Sequence, residues 1–212
     1  MSDFSTRRVM MVDTQVRPSD VTKFPIIAAM LAVPRESFVP EAQKEAAYAG
    51  LNVALSRDRV VLEARSLAKL LDFLDIQPGD RVMDLGAGYG YASAVMAEMG
   101  CDVVAVEEDA TMAQAARAGL PGVKVVTAAL TAGAAADGPF DAIVVQGAVE
   151  QVPDAILAQL CEGGRIGALF MQGALGTARI GLMQDGRVTW RNVFNATAPV
   201  LPGFAVRRGF VL

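Results

Sequence analysis

Three glycines at alternate positions, Gly86, Gly88 and Gly90, lie between an apolar run that ends in Asp84 and a stretch of helix formers over 92–99. Glycines so spaced let a backbone turn sharply and come close to a ligand, and the helix that follows offers free N–H groups at its start. Twenty-one residues after Gly86, Glu107 closes a second apolar run, Val103-Val104-Ala105-Val106. A carboxylate at such a strand end can accept hydrogen bonds from two ribose hydroxyls. Strand, glycine turn, helix, strand and acid in this order predict a site for an adenosine-containing cofactor.

The glycine spacing narrows the choice. A dinucleotide site places its third glycine three residues after its second, where a pyrophosphate meets the helix start. Here that position is Tyr91. The pattern is G-x-G-x-G with Asp84 two residues upstream, and a carboxylate there suits a cationic amino group better than a phosphate. S-adenosylmethionine has an amino group, a sulfonium and a ribose, and no phosphate. It is the expected cofactor, with Asp84, Gly86, Ala87, Gly88, Tyr91 and Glu107 as its candidate contacts. An NAD site and an ordinary βαβ unit whose glycines only make a tight turn are the alternatives. Gln146 closes another apolar run and is a further lining candidate, because ligands of doubly wound sheets sit at carboxyl strand ends.

The chain has no histidine. That removes Ser-His-Asp and Cys-His chemistry and the usual zinc hydrolase sites, and no metal is expected. Methyl transfer to a carboxylate fits this constraint, because a group with a pKa of about 4 is already ionised at pH 7 and needs no base. A formal charge of −4 without a run of Lys or Arg argues against a nucleic-acid partner. The longest apolar stretch, 26–33, is far short of a membrane span, and residues 1–13 show no secretory signal, so a cytoplasmic location is expected. Cys101 and Cys161 are too far apart for a C-x-x-C motif and are expected to be reduced and buried.

The elements that must position these groups follow from apolar spacing. Helices are predicted over 23–33, stopped by Pro34, over a piece ending near Tyr48, and over 62–74, where one apolar stripe runs along the chain. Strands are predicted over 81–85, 102–107, 123–127 and 140–146, a helix over 153–160 ending at Gly163-Gly164, and a strand over 165–171. Such alternation means a parallel α/β sheet with right-handed crossovers. Gln184-Asp185-Gly186 marks a hairpin between 178–183 and 187–194, and 204–212 reads as a last strand, so the sheet is completed by antiparallel pieces. Residues 1–212 are expected to form one domain, with a helical N-terminal extension over 1–60 and a cofactor-binding core over 61–212. Trp190 reads as a packed aromatic and Arg7-Arg8 as a solvated pair, while Tyr89 and Tyr91 read equally as ligand contacts or packing.

These residues resemble a known family, the protein-L-isoaspartate O-methyltransferases. Gln15 with Arg17, the segment Val33-Pro34-Arg35-Glu36-Ser37-Phe38-Val39-Pro40 and Ala47-Tyr48 are similar to its N-terminal region. Pro78-Gly79-Asp80-Arg81-Val82 through Tyr91 resembles its cofactor motif. Phe140-Asp141-Ala142-Ile143-Val144-Val145, Pro153, and Gln159-Leu160 with Gly163-Gly164-Arg165 resemble its later motifs. The resemblance implies the doubly wound, mostly parallel sheet of S-adenosylmethionine-dependent methyltransferases. It also implies methylation of the isoaspartyl carboxylate in damaged proteins, so the partner is a protein or peptide carrying isoaspartate. Gly86 and Gly88 would approach the methionine part of the cofactor, Asp84 would stand behind its amino group and Glu107 would hold the ribose. A methyltransferase with a different acceptor, or a silent relative that binds protein, are the other functions compatible with the pattern.

Two positions depart from the family. Its Thr-Ile-Ser-Gln-Pro-like motif reads Val60-Val61-Leu62-Glu63-Ala64 here, so the serine position is Leu62, no residue inherits the serine's role, and Glu63 adds a negative charge. Its Gly-Asp-Gly reads Ala128-Ala129-Leu130, which leaves Ala129 and Leu130 beside the adenine without a side-chain acceptor. One such lost hydrogen bond costs about 0.5 to 1.5 kcal/mol, or up to roughly tenfold in affinity.

Overall fold

The computed structural model of the chain describes residues 3–206. Val, Ile and Leu runs long enough to be buried on both faces become the centre of a seven-stranded sheet. The parallel strands are β3 (Arg81–Leu85), β4 (Asp102–Glu107), β5 (Lys124–Thr127), β6 (Phe140–Val149) and β7 (Leu160–Gln172). β8 (Leu175–Gln184) and β9 (Arg187–Asn195) then pair antiparallel, giving the order β5-β4-β3-β6-β7-β8-β9. Asp185 (φ 49°) and Gly186 (φ 70°) are both left-handed in the β8–β9 turn, as a tight hairpin with right-twisted strands requires. Trp190 packs edge-on against Phe170 across that sheet, ring centroids 4.8 Å apart.

Helices cover the two faces. α1 (Phe4–Met11) continues through wider and tighter turns to Ser19, and α2 (Phe24–Ala32) follows. α3 (Ala64–Leu74) buries Leu67, Leu70, Leu71 and Leu74 completely. α4 (Tyr91–Glu98), α5 (Ala110–Gly119) and the single turn α6 (Asp154–Leu157) complete the set. Leu74 and Leu70 press so closely on β7 that a Cβ at Gly167 would lie 3.0 Å from Leu74. No helix of the described residues is long and apolar enough to cross a membrane.

Several expectations are corrected. The helix over 153–160 is only Asp154–Leu157, because β7 already begins at Leu160. Gly163 and Gly164 do not stop a helix. They form a bulge where the β6–β7 register shifts, and a Cβ at Gly164 would sit 2.8 Å from the Cys161 carbonyl and 3.0 Å from that of Phe140. The piece expected to be a helix ending near Tyr48 is a 3₁₀ turn over Glu41–Ala46. The extension is not wholly helical either: β1 (Val53–Ala54) and β2 (Val60–Val61) close it with a small antiparallel hairpin, and α3 starts two residues later than the apolar stripe suggests. Residues 204–206 carry no strand, and the rest of the expected 204–212 strand lies outside the described residues. Cys101 and Cys161 are unpaired but only half-buried. Arg8 is not simply solvated. It donates to the Tyr48 hydroxyl at 3.2 Å and pairs with Glu36, while Arg7 pairs with Glu45, so both arginines tie α1 to the segment after α2. Burial beside Glu36 pushes the Tyr48 hydroxyl up to about 12.

Candidate cofactor site

The carboxyl ends of β3 and β4 meet at the glycine turn. Gly86 (φ 84°) and Gly88 (φ 59°) are left-handed, which a side chain would resist. The N–H groups of Gly86 and Ala87 both donate to the Val106 carbonyl, at 2.9 and 3.0 Å, and this pins the turn to the end of β4. Glu107 sits there fully buried. Its Oε1 accepts the Asp109 N–H at 3.0 Å and its Oε2 accepts the Gly88 N–H at 2.7 Å.

Asp84, also fully buried, lies two residues before the turn and accepts the Ser93 hydroxyl from the first turn of α4. Loss of water pushes its carboxyl up to about 6, against smaller opposing effects of Ser93, Gln146 and Arg59. Gln146, on the neighbouring β6, is buried beside it. The Ala128 N–H donates to the Glu107 carbonyl at 3.2 Å, which sets Ala129, exposed, just past the next strand end.

Other expected contacts lie elsewhere. The Tyr91 side chain is only 1% exposed and packs against Phe38, with the Arg35 guanidinium 4.7 Å from its ring, so it belongs to the core. Leu130 is wholly buried in the core on the opposite face, which leaves only its backbone near the site. Leu62 is buried as well, and its carbonyl accepts a 2.7 Å hydrogen bond from Arg35. Arg35 reaches the Ala47 carbonyl at the same distance, so one buried guanidinium joins the extension, β2 and the start of α4.

The residue that sequence reasoning misses is Arg59. It stands at the tip of the β1–β2 hairpin, is 4% exposed, and forms a buried ion pair with Glu107 Oε2. Its Nη1 lies 2.7 Å from where a Cβ on Gly86 would be, and Leu55 Cδ1 lies 2.6 Å from the corresponding point on Gly88. Two side chains of the hairpin thus cover the glycine turn. In kind, the residues fit S-adenosylmethionine: a buried acid for the ribose, a backbone turn bare of side chains, and a second buried acid for an amino group. In space, the turn is covered from the hairpin side.

Next to the hairpin base runs a groove of about 550 Å³ lined by Asn52, Glu63, Arg65, Leu175, Thr177 and Asn195 among others. Asn52 braces it, accepting the Glu63 N–H at 2.9 Å and donating to the Thr197 carbonyl at 2.8 Å. The Glu63 charge is answered locally by Arg65 at 2.9 Å and by the Ser66 hydroxyl at 2.7 Å.

A doubly wound, mostly parallel sheet with a G-x-G-x-G turn and a buried acid at the next strand end defines the S-adenosylmethionine-dependent methyltransferase class. The model of the protein-L-isoaspartate(D-aspartate) O-methyltransferase family matches residues 8–172. The chain belongs to that family. The protein-L-isoaspartate O-methyltransferase of Methylorubrum extorquens (strain PA1) is 38% identical over 169 residues, 77% of this chain and 74% of that protein. Among solved structures, one protein-L-isoaspartate O-methyltransferase superposes with a TM-score of 0.79 at 22% identity, covering 95% of this chain; the chain spans 66% of its length. A Plasmodium falciparum structure described as a putative protein-L-isoaspartate O-methyltransferase in complex with S-adenosyl-L-homocysteine has a TM-score of 0.77 at 17% identity, over 95% of this chain and 99% of that one. At those identities the two structures establish the shared fold.

Proposed function

We propose that this chain methylates the free carboxylate of isoaspartyl residues in damaged proteins, with residues 61–212 forming the cofactor-binding core of one domain and residues 1–60 its extension. The observation that carries the reading is Glu107, buried at the end of β4 against the Gly88 N–H, in a chain whose family match runs through both residues. When bound, S-adenosylmethionine supplies an electrophilic methyl group on a sulfonium. Glu107 takes the ribose hydroxyls, Gly86 and Gly88 admit the methionine part, and Asp84 balances the amino group. Ala129 offers the adenine no side-chain acceptor, so that ring is held by shape and backbone.

The acceptor needs no activation, because an isoaspartyl carboxylate is ionised at neutral pH. The protein's work is therefore to orient it and keep water away. The groove beside the hairpin suits an extended peptide: Thr177 and Asn195 offer hydroxyl and amide partners to a backbone. Two unpaired cysteines agree with work in the cytoplasm.

The test is methyl transfer from labelled S-adenosylmethionine to an isoaspartyl peptide and to its normal aspartyl isomer. A base-labile methyl ester on the isoaspartyl peptide alone is expected. Equal labelling of both isomers, or none of either, would refute the assignment.

A further inference from the structure

Arg59 is held by fewer hydrogen bonds than the other buried arginine near it. Of its guanidinium nitrogens only Nη2 has a partner, Glu107, while Nε and Nη1 are buried without one. Arg35, the other buried arginine of this region, leaves one nitrogen, Nη1, without a partner, but its Nε and Nη2 are bonded to carbonyls and a ring lies beneath it. A charge taken out of water with two donor groups unpaired is poorly compensated, and release to water recovers much of that cost.

The element that carries Arg59 is slight. β1 and β2 are two residues each, paired only with one another, and Ser56, Arg57 and Asp58 at the tip are exposed. A two-stranded hairpin of this size has little stability of its own. Its tip is joined by the Leu55 N–H to Arg59 carbonyl bond of 2.8 Å, so Leu55 and Arg59 travel together.

Position sets Arg59 where a ligand at the glycine turn would lie. Arg59 uses the same Glu107 oxygen that faces the glycine turn, and its Nη1 and Leu55 Cδ1 press on the two bare backbone positions, Gly86 and Gly88. The site holds two buried acids, Asp84 and Glu107. Arg59 pairs with one of them, Glu107.

We propose that Arg59 is a built-in competitor for the cofactor site, which holds the ribose acid Glu107 and leaves it with its hairpin tip when an adenosine-containing ligand binds. This rests on the cofactor role given to Glu107 above. A ligand that must first displace a closed form loses affinity in proportion to the open fraction. Weakening the closed form therefore tightens binding.

The experiment is calorimetric titration of S-adenosylhomocysteine, and separately of adenosine, into the unmodified chain and into Arg59→Ala, Leu55→Ala and Glu107→Ala. Arg59→Ala and Leu55→Ala are each expected to bind both ligands at least about tenfold more tightly, and Glu107→Ala to lose them. Leu55→Ala keeps the ion pair, so it carries the test if Arg59→Ala, which strands Glu107, does not fold. Affinities within about twofold of the unmodified chain would make the hairpin a structural element and overturn the proposal, leaving the cofactor role of Glu107 intact. Weaker binding of S-adenosylhomocysteine by Arg59→Ala would also overturn it, since Arg59 would then hold the ligand. No binding by any variant would remove the cofactor reading itself, and the competitor with it.

Discussion

Replacing Asp84 by Asn tests whether burial of that carboxyl governs the pH dependence of stability. Asp84 is fully buried, and desolvation lifts it from the ordinary aspartate range to about 6. Between about pH 4 and pH 6 the folded chain therefore keeps a proton that the unfolded chain has released. Stability from this group is fully present below about pH 4, falls as pH rises to about 6, and is level above it. A shift of roughly two units corresponds to about 3 kcal/mol, of which about 2 falls between pH 4 and pH 7. Asn has nearly the same shape, can still accept from Ser93, and does not ionise. Its stability advantage over the unmodified chain should thus grow by about 2 kcal/mol from pH 4 to pH 7, read from urea unfolding of both proteins. A difference that stays level across that range would refute the argument, whatever its absolute size, because other acids cancel in the comparison.

Arg35→Ala leaves the Ala47 and Leu62 carbonyls without their guanidinium and Tyr91 without its cation. A loss of about 3 to 5 kcal/mol is expected, a fall in Tm of roughly 10 °C, with Arg35→Lys intermediate; a fall of less than about 2 °C would contradict the arrangement. Asp109 caps α5 by accepting the Thr111 and Met112 N–H groups at 2.9 Å each, so Asp109→Ala should cost about 1 kcal/mol in chemical denaturation, and Asp109→Asn much less.

What was legible in the sequence follows the range of the forces involved. β3 and β4 occupy 81–85 and 102–107 as expected, and Asp84, Gly86, Gly88 and Glu107 converge, because strand, turn and helix preferences are local and the βαβ crossover joins them in a set way. The β8–β9 turn was equally readable, since Asp185-Gly186 suits only a few turn types. Arg59 was not. In Ser56-Arg57-Asp58-Arg59 it looks like part of a solvated turn, and its partner is 48 residues away. Nothing in the segment 33–40 marks Arg35 as buried, yet it is 1% exposed, because the carbonyls that hold it are 12 and 27 residues away. Tyr91 was open between ligand and core, and only the packing of Phe38 and Arg35 around it decides for the core. Gly163-Gly164 misled because glycine both ends helices and permits bulges, and which one it does depends on the neighbouring strand.

The hairpin over residues 53–61 is fastened at both feet. Asn52 ties the chain before it to the Glu63 N–H and to the Thr197 carbonyl, and Arg35 holds the Leu62 carbonyl just beyond it. A loop moored this way behaves as an exchangeable cartridge: its tip can be lengthened, shortened or recharged while the register of the seven strands behind it stays unchanged. The nine residues 53–61 thus form a part of the chain whose tip can change with little consequence for the sheet.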